Sequence, residues 1–159
     1  MSIITLNNNS LSSVTSLPAG VGGKANQTVY VSQGSTQAVA TTSFTDLTGV
    51  TLNITPISTD SKILVTCELN NVFGSGEGSG IQIVRTIGAT STNVYTGSQT
   101  YANYFSGITT AETRYSTSYL DSPSTTSQVT YKIQVRTDNG NSVTFNRGDK
   151  TNLIATEII

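Results

Sequence analysis

The chain contains no histidine and no tryptophan, one cysteine, one methionine and three prolines. Without His it lacks the commonest general base and the commonest metal ligand, and with them any Ser-His-Asp or Cys-His arrangement. A single cysteine excludes an internal disulfide. Cys67 falls on the same strand phase as Ile63, Val65 and Leu69, so it reads as a packed small hydrophobe rather than a nucleophile. Charge is also scarce, at 11% of residues with a net charge of −1. Nucleic acid requires a basic face, as does an anionic membrane surface, so neither is an expected partner. No apolar run is long enough to span a bilayer, and the N-terminus lacks the basic start and continuous apolar stretch of a signal peptide. Assembly in a cytosol is the expected setting.

What the chain does have is hydroxyls: 28 Thr and 21 Ser among 159 residues. Thr is β-branched and suits strands, while Ser suits turns. Apolar alternation runs through most of the sequence. It is clearest at Val129, Tyr131, Ile133 and Val135, which interleave with Thr130, Lys132, Gln134 and Arg136. Successive strand side chains point to opposite faces, so this segment has one buried face and one wet face. Asp138-Asn-Gly-Asn141 follows, then Ser142 to Phe145. Asn139-Gly140 suits a type I′ turn, and the stretch is predicted to be a β-hairpin.

Further strands are expected at Thr28–Ser32, Ser35–Ala40, Ser43–Thr48, Val50–Ile54, Lys62–Asn70, Ile81–Thr86, Thr92–Thr96, Tyr101–Ser106, Thr113–Leu120 and Asn152–Ile159. Pro56 stops one of them. Gly88-Ala-Thr-Ser closes a hairpin between Thr86 and Thr92. Gly74 to Gly80 reads as a flexible loop. It lacks the Gly-Lys-Ser/Thr ending of a phosphate cradle and no amphipathic helix follows it. No 3.6-residue apolar period is long enough for a helix. Short strands punctuated by Gly, Ser, Asn and Pro imply an all-β fold, an antiparallel β-sandwich of jelly-roll or Greek-key type.

Residues 1–25 differ from the rest. Ile3, Ile4, Leu6, Leu11, Val14 and Leu17 recur in an Asn/Ser-rich background that holds neither a helix nor a strand period. Pro18 and Gly20-Val-Gly-Gly23 punctuate it. The segment reads as an extended N-terminal arm that docks through those six residues, with residues 26–159 forming the β-sandwich domain.

Evidence for chemistry is thin. The nine carboxylates are Asp46, Asp60, Glu68, Glu77, Glu112, Asp121, Asp138, Asp149 and Glu157, and most fall in turns or on polar strand phases. Asp121-Ser-Pro and Asp138 are turn formers. No catalytic, cofactor-binding or metal-binding residue is assigned, and the chain is expected not to be an enzyme. Arg147-Gly148-Asp149 matches an integrin-binding tripeptide and reads as a turn at a strand end. Asn26-Gln-Thr28 and Asn53-Ile-Thr55 match a glycosylation sequon, which has meaning only in a secreted eukaryotic protein. Tyr95, Tyr101, Tyr104 and Tyr115, with Phe105, offer a surface for a glycan or protein, because aromatic rings stack on sugars and anchor interfaces. The competing reading places half of them in the core.

Three stretches resemble a known family. Ile3 to Pro18 looks like the opening of small tailed-phage virion proteins, especially those of cyanophages and other marine phages. Leu52-Asn-Ile-Thr-Pro-Ile-Ser-Thr-Asp-Ser-Lys-Ile-Leu-Val65 resembles their I-T-P-x-S-x-x-S-K-I-L-V signature. Tyr119-Leu-Asp-Ser-Pro-Ser-Thr-Thr-Ser-Gln-Val-Thr-Tyr-Lys132 resembles their LDSP…TYK signature, and the terminal strand is similar too. The resemblance implies an oligomeric β-sandwich component of a bacteriophage virion. It brings no catalytic motif. Phe73 to Thr117 is modest in length, so no specialised receptor-binding insertion is implied. The expected role is a capsid decoration (cement) protein, a homotrimer whose arm grips the major capsid protein. The alternative is a tail-fibre or head-fibre adhesin that binds host glycan.

Overall fold

The computed structural model describes residues 25–74, 77–97, 103–105 and 110–159. Eleven strands occur among them, and no helix. They are β1 (Ala25–Gln33), β2 (Gln37–Val39), β3 (Thr45–Ile54), β4 (Lys62–Gly74), β5 (Glu77–Ile87), β6 (Thr90–Thr96), β7 (Asn103–Phe105), β8 (Thr110–Asp121), β9 (Val129–Thr137), β10 (Val143–Phe145) and β11 (Thr151–Ile158).

Every pairing is antiparallel, and the strands divide into two sheets. The first runs β1-β11-β4-β8. Its short strand β10 lies beside β4 beyond the end of β11, and β2 flanks β10. The second runs β3-β9-β5-β6, with β7 beside β5 beyond the end of β6. The chain passes repeatedly from one sheet to the other, and the orders β1-β11-β4-β8 and β3-β9-β5-β6 are those of a jelly roll, one of the two sandwich types expected.

The core lies between the layers. Ile63, Val65, Cys67 and Leu69 of β4 meet Val129, Tyr131, Ile133 and Val135 of β9, and all eight are fully buried. Each such aliphatic side chain contributes about 1.5–3 kcal/mol through removal from water.

Three local expectations are corrected. Val129–Thr137 and Val143–Phe145 are not a hairpin: β9 belongs to the second sheet, while β10 pairs with β4 and β2 in the first. β9 is a central strand with β3 on one side and β5 on the other, so it has no edge left for β10. Gly140 takes a positive φ of 85°, but Asn139 does not, so the two-residue I′ geometry is absent. The turn instead carries the chain across the sandwich. Asp138 fixes it there by donating its N–H to the Gly78 carbonyl and accepting the Gly78 N–H on its carboxylate.

Residues 77–80 are not loop but the start of β5. Residues 77–79 pair with β7 and residues 79–80 with β9, and this cross-strand pairing outweighs the poor strand propensity of Gly78 and Gly80. The segments predicted at Ser43–Thr48 and Val50–Ile54 are one strand, β3, with a register shift between Asp46 and Thr51. Gly49, at φ 78°, supplies the left-handed residue of that bulge.

Candidate functional site

The six apolar residues of the expected arm, Ile3, Ile4, Leu6, Leu11, Val14 and Leu17, lie outside the described residues, as does Tyr101. Tyr95 and Tyr115 are half-buried against the core, with their hydroxyls 3.1 Å apart. The Tyr95 ring also tilts against that of Tyr119, with centroids 6.2 Å apart. Tyr104, on β7, is 48% exposed. The structure thus brings Tyr95 and Tyr115 together, with Tyr119 beside Tyr95, and places Tyr104 on β7.

The carboxylates do not converge either. No group of three or more His, Cys, Asp or Glu side chains suited to a metal occurs among the described residues. Asp46 accepts from Lys132 and Gln134 at 2.9 and 2.6 Å. Partial burial works against its charge, but those two partners outweigh it and hold the carboxyl below the ordinary range. Asp149 of the Arg-Gly-Asp tripeptide is ion-paired with Arg114, and Gly148 turns there at φ 75°. The tripeptide rims an open cleft of about 210 Å³ lined by Gly34, Thr36, Asn146, Gly148, Asp149 and Lys150. That is smaller than the roughly 300–1,000 Å³ typical of small-molecule pockets. Both sequon amides are engaged, Asn26 with Glu157 and Asn53 with Thr130.

Two buried charges were missed. Asp121 closes β8 and is nearly inaccessible. Arg85 donates to both of its oxygens, at 2.9 and 3.1 Å, and the Tyr131 hydroxyl donates at 2.6 Å. Asp121 belongs to the first sheet, Arg85 and Tyr131 to the second, so this cluster ties the layers together. Burial and then the adjacent carboxylate push the Tyr131 phenol above its ordinary range, so it remains a proton donor.

Glu157 on β11 is likewise buried. It accepts from Asn26 at 3.0 Å, Gln27 at 2.7 Å and the Ile57 N–H at 2.8 Å. Burial opposes its charge, but the nearby Ser61 hydroxyl together with the hydrogen bonds from Gln27, Asn26 and the Ile57 N–H outweighs that and holds it at about 2. A legible signal existed for both carboxylates. Asp121 shares its strand phase with Tyr115 and Tyr119, and Glu157 shares its phase with Leu153 and Ala155. A carboxylate on the inward phase has to be paired.

These clusters also connect the stretches that carry the family resemblance. Lys62 of Ser-Lys-Ile-Leu-Val donates to Ser122 of Leu-Asp-Ser-Pro at 2.8 Å. Asp121 of Leu-Asp-Ser-Pro accepts from Tyr131 of Thr-Tyr-Lys. The signatures act as structural ties.

Cys67 is fully buried, and burial, assisted by the neighbouring Glu68 charge, pushes its thiol up to about 12. A thiol reagent is therefore expected to titrate no sulfhydryl in the native protein and one after addition of denaturant. Rapid reaction of the native protein would contradict this packing.

The outer faces of the two sheets contrast sharply. On the second sheet Thr130 bonds Asn53 and Lys132 bonds Asp46. Gln134 bonds both Asp46 and Gln82, and Asn93 bonds Gln82. Arg136 sits over the Phe44 ring, 4.8 Å from its centroid. This face is a polar lattice. On the first sheet, cross-strand register sets Tyr30 beside Ile154, and Leu64 beside Leu120. Ile154 and Leu64 are diagonal neighbours, because Ile154 pairs with Thr66 and Thr156 with Leu64. The result is an apolar band across all four strands, with Tyr30 76% and Leu120 53% exposed.

No protein-family model and no curated protein sequence matches the chain. Among solved structures, it is similar to a chain of infectious bursal disease virus Gx strain at 13% identity and TM-score 0.47, covering 83% of this chain and 38% of that one. A VP2 subviral particle of infectious bursal disease virus matches at 12% identity and TM-score 0.48, covering 83% and 39%. A mutant VP2 protein of that virus, in derived T=1 particles, matches at 17% identity and TM-score 0.42, covering 84% and 36%. The chain thus spans less than two-fifths of each solved chain.

Proposed function

We propose that the chain is a virion structural protein that decorates and cements a bacteriophage head. The observation that carries this reading is that the Ser-Lys-Ile-Leu-Val, Leu-Asp-Ser-Pro and Thr-Tyr-Lys stretches, which resemble phage virion proteins, interlock as framework ties of one jelly roll. Jelly rolls occur in viral capsids, but also in lectins and cupins, so the fold alone does not select the role. In this reading the domain is a passive module. The arm, through Ile3, Ile4, Leu6, Leu11, Val14 and Leu17, lies along the major capsid protein at seams between subunits, with three copies meeting at local threefold positions. Each copy that binds only the assembled shell stabilises it by mass action. Deleting residues 1–23 is expected to abolish binding to capsids while circular dichroism still reports the folded domain. Undiminished binding would overturn the arm mechanism.

A second reading, a fibre adhesin for host glycan, has the exposed Tyr104 in its favour. It requires glycan binding that disappears in Tyr104→Ala. Copy number per virion separates the two readings: many copies for a cement protein, few for a fibre tip.

A further inference from the structure

The apolar band on the outer face of the β1-β11-β4-β8 sheet lacks a cover among the described residues. We propose that residues 1–24 of the same chain fold back over it. The inference concerns the free chain and holds whether or not the protein belongs to a phage shell.

Three observations choose this occupant. The first is where the segment joins. It enters the structure at Ala25, the first residue of β1, which is the terminal strand of this same sheet. Tyr30, the most exposed large side chain of the band, lies five residues further on. Gly20, Gly22 and Gly23 stand immediately before that junction and permit the chain to reverse.

The second is chemical complementarity. The segment carries no Asp, Glu, Lys or Arg before Lys24 at its junction with the sheet, and between residues 3 and 17 six apolar residues recur among Ser, Thr and Asn. The band is similar, with Tyr30, Ile154, Leu64 and Leu120 among Thr28, Thr66, Thr156 and Ser118. Its nearest charges, Lys62 and Glu68, stand along β4 on either side of Leu64 and Thr66 and have partners of their own in Ser122 and Asn152. The opposite sheet face presents Lys132, Asp46 and Arg136 and would bury charge beneath an uncharged segment.

The third is area. Four strands about 4.8 Å apart and about eight residues long at ~3.3 Å each give a face of roughly 500 Å². A stable dimer needs about 800 Å² per partner, so the face is small for a second copy. A tethered segment needs far less, because its effective concentration is in the millimolar range. Residues 3–17, extended, reach roughly 50 Å, enough to cross the sheet more than once.

Covered in this way, the exposed tyrosine and leucines are shielded from other molecules.

The absence of tryptophan provides the test. Tyr30→Trp in the full chain places one indole in the band. Expected are a blue-shifted emission and weak quenching by acrylamide, both independent of protein concentration. Both are lost when Ile4→Asp, Leu6→Asp and Leu11→Asp are added. A solvated indole in the chain with the native segment would overturn the proposal. So would a blue shift that grows with concentration and survives the aspartates, which would mark a second copy as the occupant. If Tyr30→Trp fails to fold, Leu120→Trp reports on the same band with the same outcomes.

Discussion

Replacing Asp121 by Ala is expected to lower the unfolding free energy by about 3–5 kcal/mol, the range for removing one partner of a buried ion pair. Domains of this kind are stabilised by only about 5–15 kcal/mol in total, so the loss takes a large share. The magnitude follows from what remains. The Arg85 side chain is 19% exposed and cannot shed its charge, so without the carboxylate it stands largely dehydrated and unpaired. The Tyr131 hydroxyl, fully buried, loses its acceptor as well. Removing the demand together with the supply separates these costs. Tyr131→Phe alone deletes a single donor and should cost about 1 kcal/mol. The triple change Asp121→Leu, Arg85→Met, Tyr131→Phe should recover most of the loss, since apolar groups of similar volume substitute well for a buried pair. Urea unfolding of the four proteins measures this. A cost below about 1 kcal/mol for Asp121→Ala would mean that the cluster is not what ties the layers.

How much of this was legible depended on whether the relevant partner lay nearby in sequence. The inward face of β9 was readable because alternation is a local property, and all four apolar residues are buried as expected. The pairing of β10 was not, because Asn139-Gly140 records only that a turn occurs. Whether the chain returns along the same strand depends on which edges β3 and β5 already occupy, and they are distant in sequence. Glycines at 78 and 80 misled for a related reason: propensity is a weak local term, and pairing with β7 and β9, which are distant in sequence, overrides it. Asp121 was recognised as a turn former, which is only part of its role, since Arg85 lies 36 residues away. The outer faces of the sheets could be sorted residue by residue from their phases. That one is a bonded polar lattice and the other an apolar band became visible only once the register was known.

Glu157→Gln tests the second buried charge, and its signature is a pH dependence. At pH 7 the change should cost about 2–4 kcal/mol, because an amide presents an N–H₂ to donors arranged for a carboxylate and leaves some of them without an acceptor. The wild-type carboxyl is held at about 2 in the folded state, below its ordinary value of 4.5. Its contribution is therefore fully present above about pH 4.5 and is lost as pH falls from there through about 2. In the variant no proton is taken up at this position, so its stability should fall less steeply across that window. The gap between the two proteins should be wide at pH 7, narrower at pH 3 and small at pH 2, where Glu157 in the folded state is about half protonated. A gap of constant size at all three pH values, measured by urea unfolding, would show that Glu157 acts through shape and not through charge. The effect should also be local in origin. The donors that lose their acceptor are Asn26 and Gln27 at the start of β1 and Ile57 in the β3–β4 connection. Amide exchange should consequently rise first in β1 and its neighbour β11 before the core strands β4 and β9 respond.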